Sequence, residues 1–226
     1  GVGDILLIDI GGATTDIHSI LPEMERQSIE EKGLIVTNEK QMSYRTVEGN
    51  LGMRVSASGI LHAAGSQNVL NRVGSNVDVT ENELIDYVNV LEQKPELIAL
   101  TEKQQLLDQA LAITAIEIAL KQHAGYLAQE YNPVMGTVPG TAIGRDLRKV
   151  GTIIAVGGIF TYASSEKKNY ILTEALKNPG ISLLPKESKF FFDSEYIMYV
   201  IGVLSQKFPN IVLTFVKKYF GLENEL

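Results

Sequence analysis

Residues Asp4 to Ser19, DILLIDIGGATTDIHS, constrain the fold more than any other stretch of the chain. Ile5 to Ile10 is an almost unbroken apolar run. A run that short, rich in isoleucine and leucine, predicts a strand buried on both faces. Gly11-Gly12 then breaks the run and turns the chain. Past Thr14-Thr15-Asp16, the segment Ile17 to Leu21 predicts a second strand. The stretch is therefore expected as a hairpin. Its tip carries two glycines and two hydroxyls, with Asp9 and Asp16 at the shoulders.

Such a tip suits a phosphate chain. Glycines lack Cβ, so backbone N–H groups can approach anionic oxygens and take up the torsions that point at them. Thr14 and Thr15 would add hydroxyl donors. Asp9, at the end of the strand, would hold a hydrated magnesium ion, which keeps several waters and binds through one or two carboxylates. The same spacing also fits an ordinary tight hairpin with a glycine turn.

A second junction of this kind lies far along the chain. Ile153-Ile154-Ala155-Val156 predicts a buried strand, and Gly157-Gly158 ends it, with Ile159 next. A strand ending in a glycine pair lets a flat ligand lie against bare backbone. In α/β sheets ligands collect at the carboxyl ends of strands, where both pairs sit. Together the two junctions would hold a nucleotide, phosphates at Gly11-Gly12 and adenosine at Gly157-Gly158. Close strand–helix packing is the competing explanation of the second pair.

Composition narrows the classes. In 226 residues, 45% are hydrophobic and 21% charged, which fits a globular protein with a substantial core. The net charge of -7 and the lack of a basic stripe argue against a nucleic-acid partner. The chain has no cysteine, which excludes disulfides, thiolate metal sites and cysteine nucleophiles. No apolar run is long enough to span a bilayer, so no membrane is expected and the location expected is cytoplasmic. The chain opens Gly-Val-Gly and enters a strand at once, as expected of a piece of a longer polypeptide.

Between the junctions, Gly33–Thr37 and Met42–Val47 are strand candidates, and Leu51 to Ala64 a helix. The character from Asn68 to Ala128 is helical. Thr80-Glu81-Asn82-Glu83 and Thr101-Glu102-Lys103-Gln104 have the form of capping boxes. A long helix is expected over Gln105 to Leu127. Residues 68–128 thus predict a helical subdomain inserted into an α/β lobe made of 1–67 and 129–226. Tyr131 to Lys149, with its prolines and glycines, predicts a loop. It lacks a lysine followed by Ser or Thr and so is not a P-loop. Ser164 or Ser165 would cap a helix to Leu176. Ile181–Leu184 and Lys189–Phe192 are strand candidates, and Ser194 would cap a helix over Glu195–Leu204. Ile211 to Phe220 closes the chain as a helix.

Asp9-Ile10-Gly11-Gly12-Ala13-Thr14-Thr15-Asp16 resembles the second phosphate motif of the actin, sugar-kinase and heat-shock chaperone ATPase superfamily, and Val156-Gly157-Gly158 its adenosine motif. Gly202 would match its second connecting motif. More narrowly, DIGGATTDIHS, YRTVEGNLGMR and GRDLRKVGTIIAVGGIF are similar to the glutamate mutase L protein (MutL-like) family, whose members accompany adenosylcobalamin-dependent mutases and aminomutases as inferred reactivating chaperones. The resemblance implies a ribonuclease H-like (actin-like ATPase) domain, a mixed five-stranded sheet flanked by helices. It implies that Gly11, Gly12, Ala13 and Thr14 contact the β- and γ-phosphates of ATP or ADP and that Asp9 holds magnesium through water. Gly157, Gly158 and Ile159 would face ribose and adenine, with Glu48, Gly49 and Asn50 near the nucleoside. The implied partners are the mutase and an N-terminal lobe that would carry the first phosphate loop. ATP hydrolysis would need both. The alternatives are a lobe of a small-molecule kinase and a filament-forming protein without turnover.

Among the other polar residues, His18, on a strand near Asp16, reads as structural. His62 and His123 have no partner at metal spacing. Arg145 and Asp146 are expected to clamp the loop as an ion pair, with contact to substrate as the alternative.

Overall fold

The computed structural model describes residues 3–21, 35–36, 43–74, 77–134 and 136–222. Along them run the strands β1 (Ile5–Ile10), β2 (Thr15–Ile20), β3 (Ile35–Val36) and β4 (Ser43–Glu48). The helices α1 (Ala57–Ala64), α2 (Ser66–Leu70), α3 (Glu81–Gln93) and α4 (Glu102–His123) follow. Next come β5 (Tyr126–Asn132), β6 (Gly136–Ile143), β7 (Thr152–Val156), α5 (Gly158–Tyr162) and α6 (Ser165–Leu176). The last are β8 (Lys189–Phe192), α7 (Met198–Ser205) and α8 (Pro209–Tyr219).

Five strands make one mixed sheet in the order β4-β2-β1-β7-β8. β1 pairs antiparallel with β2, and β2 with β4. β1 pairs parallel with β7, and β7 with β8. The central parallel pair is made by the two apolar runs that end in glycine pairs, so both glycine junctions emerge at the same end of the sheet, beyond the strands' carboxyl termini. All five residues of β7 are buried. β1 differs from the expectation of burial on both faces. Leu6, Ile8 and Ile10 are buried, while Ile5, Leu7 and Asp9 are only partly covered. The first face packs under helices in the main core. The second meets a smaller cluster of Ile154, Val156, Phe220 and Leu222, supplied from β7 and the C-terminal end.

The two capping boxes form as written. Thr80 and Glu83 cap α3, and Thr101 and Gln104 cap α4. α4 is shorter than the expected Gln105–Leu127 at its end, and it is apolar nearly all round. Leu107, Leu111, Ile113, Ile116 and Leu120 lie at different angles about its axis, and all are buried. A helix apolar on every side has to be sandwiched. α4 therefore lies in the main core with β1, β2 and α6, and residues 68–128 share that core with the sheet rather than building one of their own.

Other expectations change. The segment from Tyr131, expected as a loop, is instead the end of β5 and the hairpin strand β6, bulged between Leu127 and Gln129, with β3 alongside. Pro139 stands opposite Gln129 in it, and at Gly140 a Cβ would collide with the Glu130 carboxylate at 2.3 Å. Prolines and glycines are compatible with this short peripheral sheet, which is why they read as breakers. Ile181–Leu184 forms no strand, only a bridge from Ser182 to Tyr126. α7 starts at Met198, not Glu195. Its cap is the buried Asp193 carboxylate, which accepts from Ile197 N (3.1 Å), Met198 N (2.8 Å) and the Tyr219 hydroxyl (3.0 Å). Ser194 accepts from Lys168 Nζ at 2.8 Å instead. α1 begins at Ala57, leaving the preceding residues for another use described below. No helix among the described residues is long and apolar enough to cross a membrane.

His123 ties α4 to the sheet. Its Nε2 lies 2.8 Å from Ser19 Oγ on β2 and its Nδ1 2.9 Å from Thr46 Oγ1 on β4. Burial, followed by the charges of Arg145 and His18, pushes its pKa down to about 3. The folded protein thus keeps this ring neutral where an unfolded chain would protonate it, so stability falls as pH drops below about 6.5. Between pH 7 and 5.5 this one group is expected to cost about 1 kcal/mol. Denaturant midpoints of wild type and His123→Gln across that range should show a shallower slope in the variant. An unchanged slope would contradict the account. At the carboxyl end of β7, Gly157 has φ +133° and a Cβ there would sit 2.2 Å from Ile10 O, whereas Gly158 faces open space. Gly157→Ala is expected to destabilise by about 2–4 kcal/mol and Gly158→Ala by less than about 0.5 kcal/mol. Equal losses in urea melts would argue against this packing.

Candidate functional site

The hairpin tip is held by its carbonyls. Within the turn, Gly11 N–H donates to Thr14 O at 2.8 Å. The segment before α1 then reaches across. Met53 N donates to Gly11 O (2.9 Å), Arg54 N and Val55 N both donate to Gly12 O (2.8 Å), and the Ser56 hydroxyl donates to Ala13 O. The approach is close enough that a Cβ on Gly52 would lie 2.3 Å from the Ala13 carbonyl carbon. With the carbonyls turned inward, the N–H groups of Gly12 and Ala13 donate to no described residue, and both residues are exposed. A short loop with carbonyls tied back and amides presented outward is receptive to an anion. Neither tip glycine has positive φ. What their missing side chains supply is room, not torsional freedom.

The second junction stands beside the first. Gly157 abuts Ile10 O at the end of β1, and Gly158 opens α5 with nothing within 4 Å of where its Cβ would be. A cavity of about 550 Å³ runs between the two and is lined by Gly11, Gly12, Gly158 and Ile159. That is a size typical of small-molecule sites. Four of the residues singled out from sequence, from two regions far apart in the chain, thus meet at one cavity. Its far wall comes from Leu97 and Ile98, in the connection between α3 and α4, and from Asp108 on α4. That wall was not anticipated. The available signal was Leu97-Ile98-Ala99-Leu100, an apolar run in a connection, where Ile98 and Leu100 stay exposed.

The other singled-out residues fall elsewhere. Thr15 Oγ1 is fully buried and donates to Leu51 O at 2.6 Å, so it is no phosphate donor; it anchors the loop that grips the tip. Thr14 Oγ1 donates to Asp16 Oδ2 at 2.9 Å. Asp16 is also clamped by Arg45, through Nε at 3.0 Å and Nη2 at 2.6 Å. Glu48 and Asn50 do not line the cavity. Glu48 faces Gln122, whose amide nitrogen, when turned toward it, comes within 2.5 and 2.6 Å of the two carboxylate oxygens. The Asn50 carbonyl packs against Gly59, where a Cβ would be 1.9 Å away. Asp146 pairs with Arg148 (2.6 Å), while Arg145 donates to His123 O (2.5 Å) and lies over the Tyr44 ring, so the expected clamp has other partners.

Asp9 points to the opposite face from Ile10. It lines a second cavity of about 680 Å³ with His18, Asp193 and Tyr196, and Tyr196 lines both cavities. Tyr196 has φ +56°, a left-handed conformation unusual for a bulky residue. No described residue donates a hydrogen bond to the Asp9 carboxylate. Burial raises its pKa, and the neighbouring Asp16 adds to this; Asp193 does so more weakly, against His18 and Arg45. Asp16 and Asp193 are occupied by the donors named above, which leaves Asp9 as the open carboxylate. His18 has its pKa lowered, by burial first and then by Arg45. Among the described residues no three His, Asp or Glu side chains are grouped to hold a metal. A magnesium ion here would rest on one carboxylate, with water and ligand oxygens completing its shell, as that ion commonly does.

A family model described as MutL protein matches residues 1–220. Over 220 residues, 97% of this chain, the sequence is 30% identical to Protein MutL of Clostridium tetanomorphum and covers 46% of that protein. The chain therefore spans about half the length of the curated relative it matches.

An ionised carboxylate with a raised pKa and no donor opposes folding at neutral pH, and that cost disappears as the pH falls below its unfolded pKa. Asp9→Asn should therefore raise stability at pH 7 by about 0.5 kcal/mol, kept small because the group stays partly open to water. The gain should vanish near pH 3. Thermal melts at both pH values check this, and a destabilised variant at pH 7 would contradict it.

Proposed function

The chain belongs to the MutL protein family, and from that premise we propose that it forms the ATP-binding lobe of an ATP-dependent reactivating chaperone for an adenosylcobalamin-dependent mutase such as glutamate mutase. The observation that carries the reading is the single cavity bounded by the exposed tip at Gly11-Gly12 and the bare backbone at Gly158. Two unengaged amides, at Gly12 and Ala13, would receive phosphate oxygens. Gly158 and Ile159, with the apolar wall at Leu97 and Ile98, would receive ribose and adenine. The sheet, two antiparallel pairings followed by two parallel ones around β1, suits a ribonuclease H-like lobe of the actin type. Asp9 lines the second cavity, which adjoins the first at Tyr196; from there it would hold magnesium through water toward the phosphate end of the ligand.

In this reading the lobe supplies one wall of a cleft. Phosphoryl transfer depends on positioning from both sides, so the rest of a full-length protein would supply the second set of phosphate donors. Closure of the two lobes on a nucleotide would then do mechanical work on a bound mutase and release damaged cofactor.

The test uses the full-length protein. A fluorescent ATP analogue is titrated with and without magnesium into wild type and Gly12→Asp. A side chain fits at Gly12, since its Cβ would lie 3.5 Å from Arg54 Cβ, so the fold should survive the substitution. The added carboxylate would face the phosphates and is expected to weaken binding at least about tenfold, the equivalent of roughly 1.4 kcal/mol. Unchanged affinity would refute the phosphate assignment. For the partner, glutamate mutase should be retained on the immobilised protein in a nucleotide-dependent manner. Equal recovery with and without nucleotide would remove the chaperone reading and leave ATP binding alone.

A further inference from the structure

Arg54 occupies a place that the reading so far does not use. Its backbone N–H is one of the two that hold Gly12 O, and its side chain lines the same cavity as Gly11, Gly12 and Gly158. The side chain is not loose. Nη2 donates to Asp108 Oδ2 at 2.8 Å and Nη1 donates to Asp108 Oδ1 at 3.3 Å and to Met53 O at 2.7 Å. Asp108 is itself fixed, because the Tyr87 hydroxyl donates to its Oδ1 at 2.8 Å. Both partners are largely withdrawn from water, with side-chain exposures of 18% for Arg54 and 11% for Asp108.

A guanidinium has five N–H donors. Three bonds are accounted for, and Arg54 Nε donates to no described residue. An arginine whose fork is pre-set by a carboxylate loses little conformational freedom when it takes a further anion. The other cation on the cavity wall, Lys167, stands on α6 and donates to Gln105 Oε1 at 2.7 Å. It is exposed, and it does not adjoin the tip as Arg54 does.

We infer that Arg54 is the side chain that reads the phosphates. Its guanidinium, held on the cavity wall by Asp108, binds a phosphate oxygen of the nucleotide whose chain the Gly12 and Ala13 amides receive. The cavity thereby selects phosphorylated nucleosides over bare ones. The inference rests on the nucleotide reading proposed above and adds to it a named cation and a source of selectivity. Asp108 and Tyr87 act as positioning residues for it. Because Arg54 also grips the tip through its backbone, the charge that meets the phosphates and the amides that cradle them are held in one register.

The test is calorimetric titration of adenosine, ADP and magnesium ATP into full-length wild type, Arg54→Gln and Arg54→Lys. Arg54→Gln should weaken ADP and ATP about tenfold to a hundredfold, as expected for a lost charge-assisted bond, and leave adenosine within about twofold. Arg54→Lys keeps the charge and a pairing with Asp108, so it guards against loss of the fold. It should lose several-fold on ADP and nothing on adenosine. If ADP and adenosine weaken alike in Arg54→Lys, or if neither variant changes ADP while Gly12→Asp abolishes it, Arg54 does not read phosphate although the cavity still binds nucleotide. If wild type binds no ADP or ATP at all, the nucleotide reading fails and this inference with it.

Discussion

The site depends on a set of hydrogen bonds between the carbonyls of the hairpin tip and the segment just before α1. Three successive carbonyls, those of Gly11, Gly12 and Ala13, are taken by Met53, Arg54, Val55 and Ser56. Left to itself, a glycine turn samples many conformations and presents carbonyl and amide dipoles without preference. Tying the carbonyls down orients the peptide planes so that positive amide ends face outward. The bond from Thr15 to the Leu51 carbonyl anchors the gripping segment from the sheet side, and the missing side chain of Gly52 lets the two backbones touch. The cost is a helix that starts later than its apolar pattern suggests, because the residues before Ala57 bind the tip.

The second dependence is the adjacency of β1 and β7. Parallel pairing places the carboxyl ends of both strands at one end of the sheet, and Gly157 permits its backbone to lie against Ile10 O. The cavity is therefore a product of strand order. α4 closes it from the helical side, and α4 can do so only because it is buried in the same core as the sheet. Local geometry at the tip, strand register and helix packing are three levels of one construction.

Much of this was legible in the sequence, for identifiable reasons. The strands β1 and β7 are short apolar runs that end at glycine pairs, and both the runs and the pairs carry strong local signals. The caps of α3 and α4 are set by residues three apart, so they too are local. What could not be read depends on contacts across the chain. Thr15 looks like a ligand hydroxyl until Leu51 is seen to accept it. Glu48 and Asn50, which the resemblance puts near the nucleoside, are turned to Gln122 and Gly59. The β5–β6 hairpin was hidden by Pro139 and Gly140, which suit a small peripheral sheet and read as loop residues. The helical character of residues 68–128 was legible, but that α4 is buried in one core with the sheet depends on packing across the chain. Arg54 closes the YRTVEGNLGMR motif, but nothing local sets it apart there, because its pairing with Asp108 on α4 is a contact across the chain.

The central claim is that the amides at Gly12 and Ala13 and the backbone at Gly158 grip one ligand together. Hydrogen exchange of the full-length protein, with and without ADP and magnesium, tests it most directly. The account predicts that peptides covering Gly11–Thr14 and Gly157–Tyr162 slow in parallel at the same ADP concentration, while the β5–β6 hairpin is unaffected. Protection confined to one of the two segments, or absent from both while ADP is bound, would contradict it.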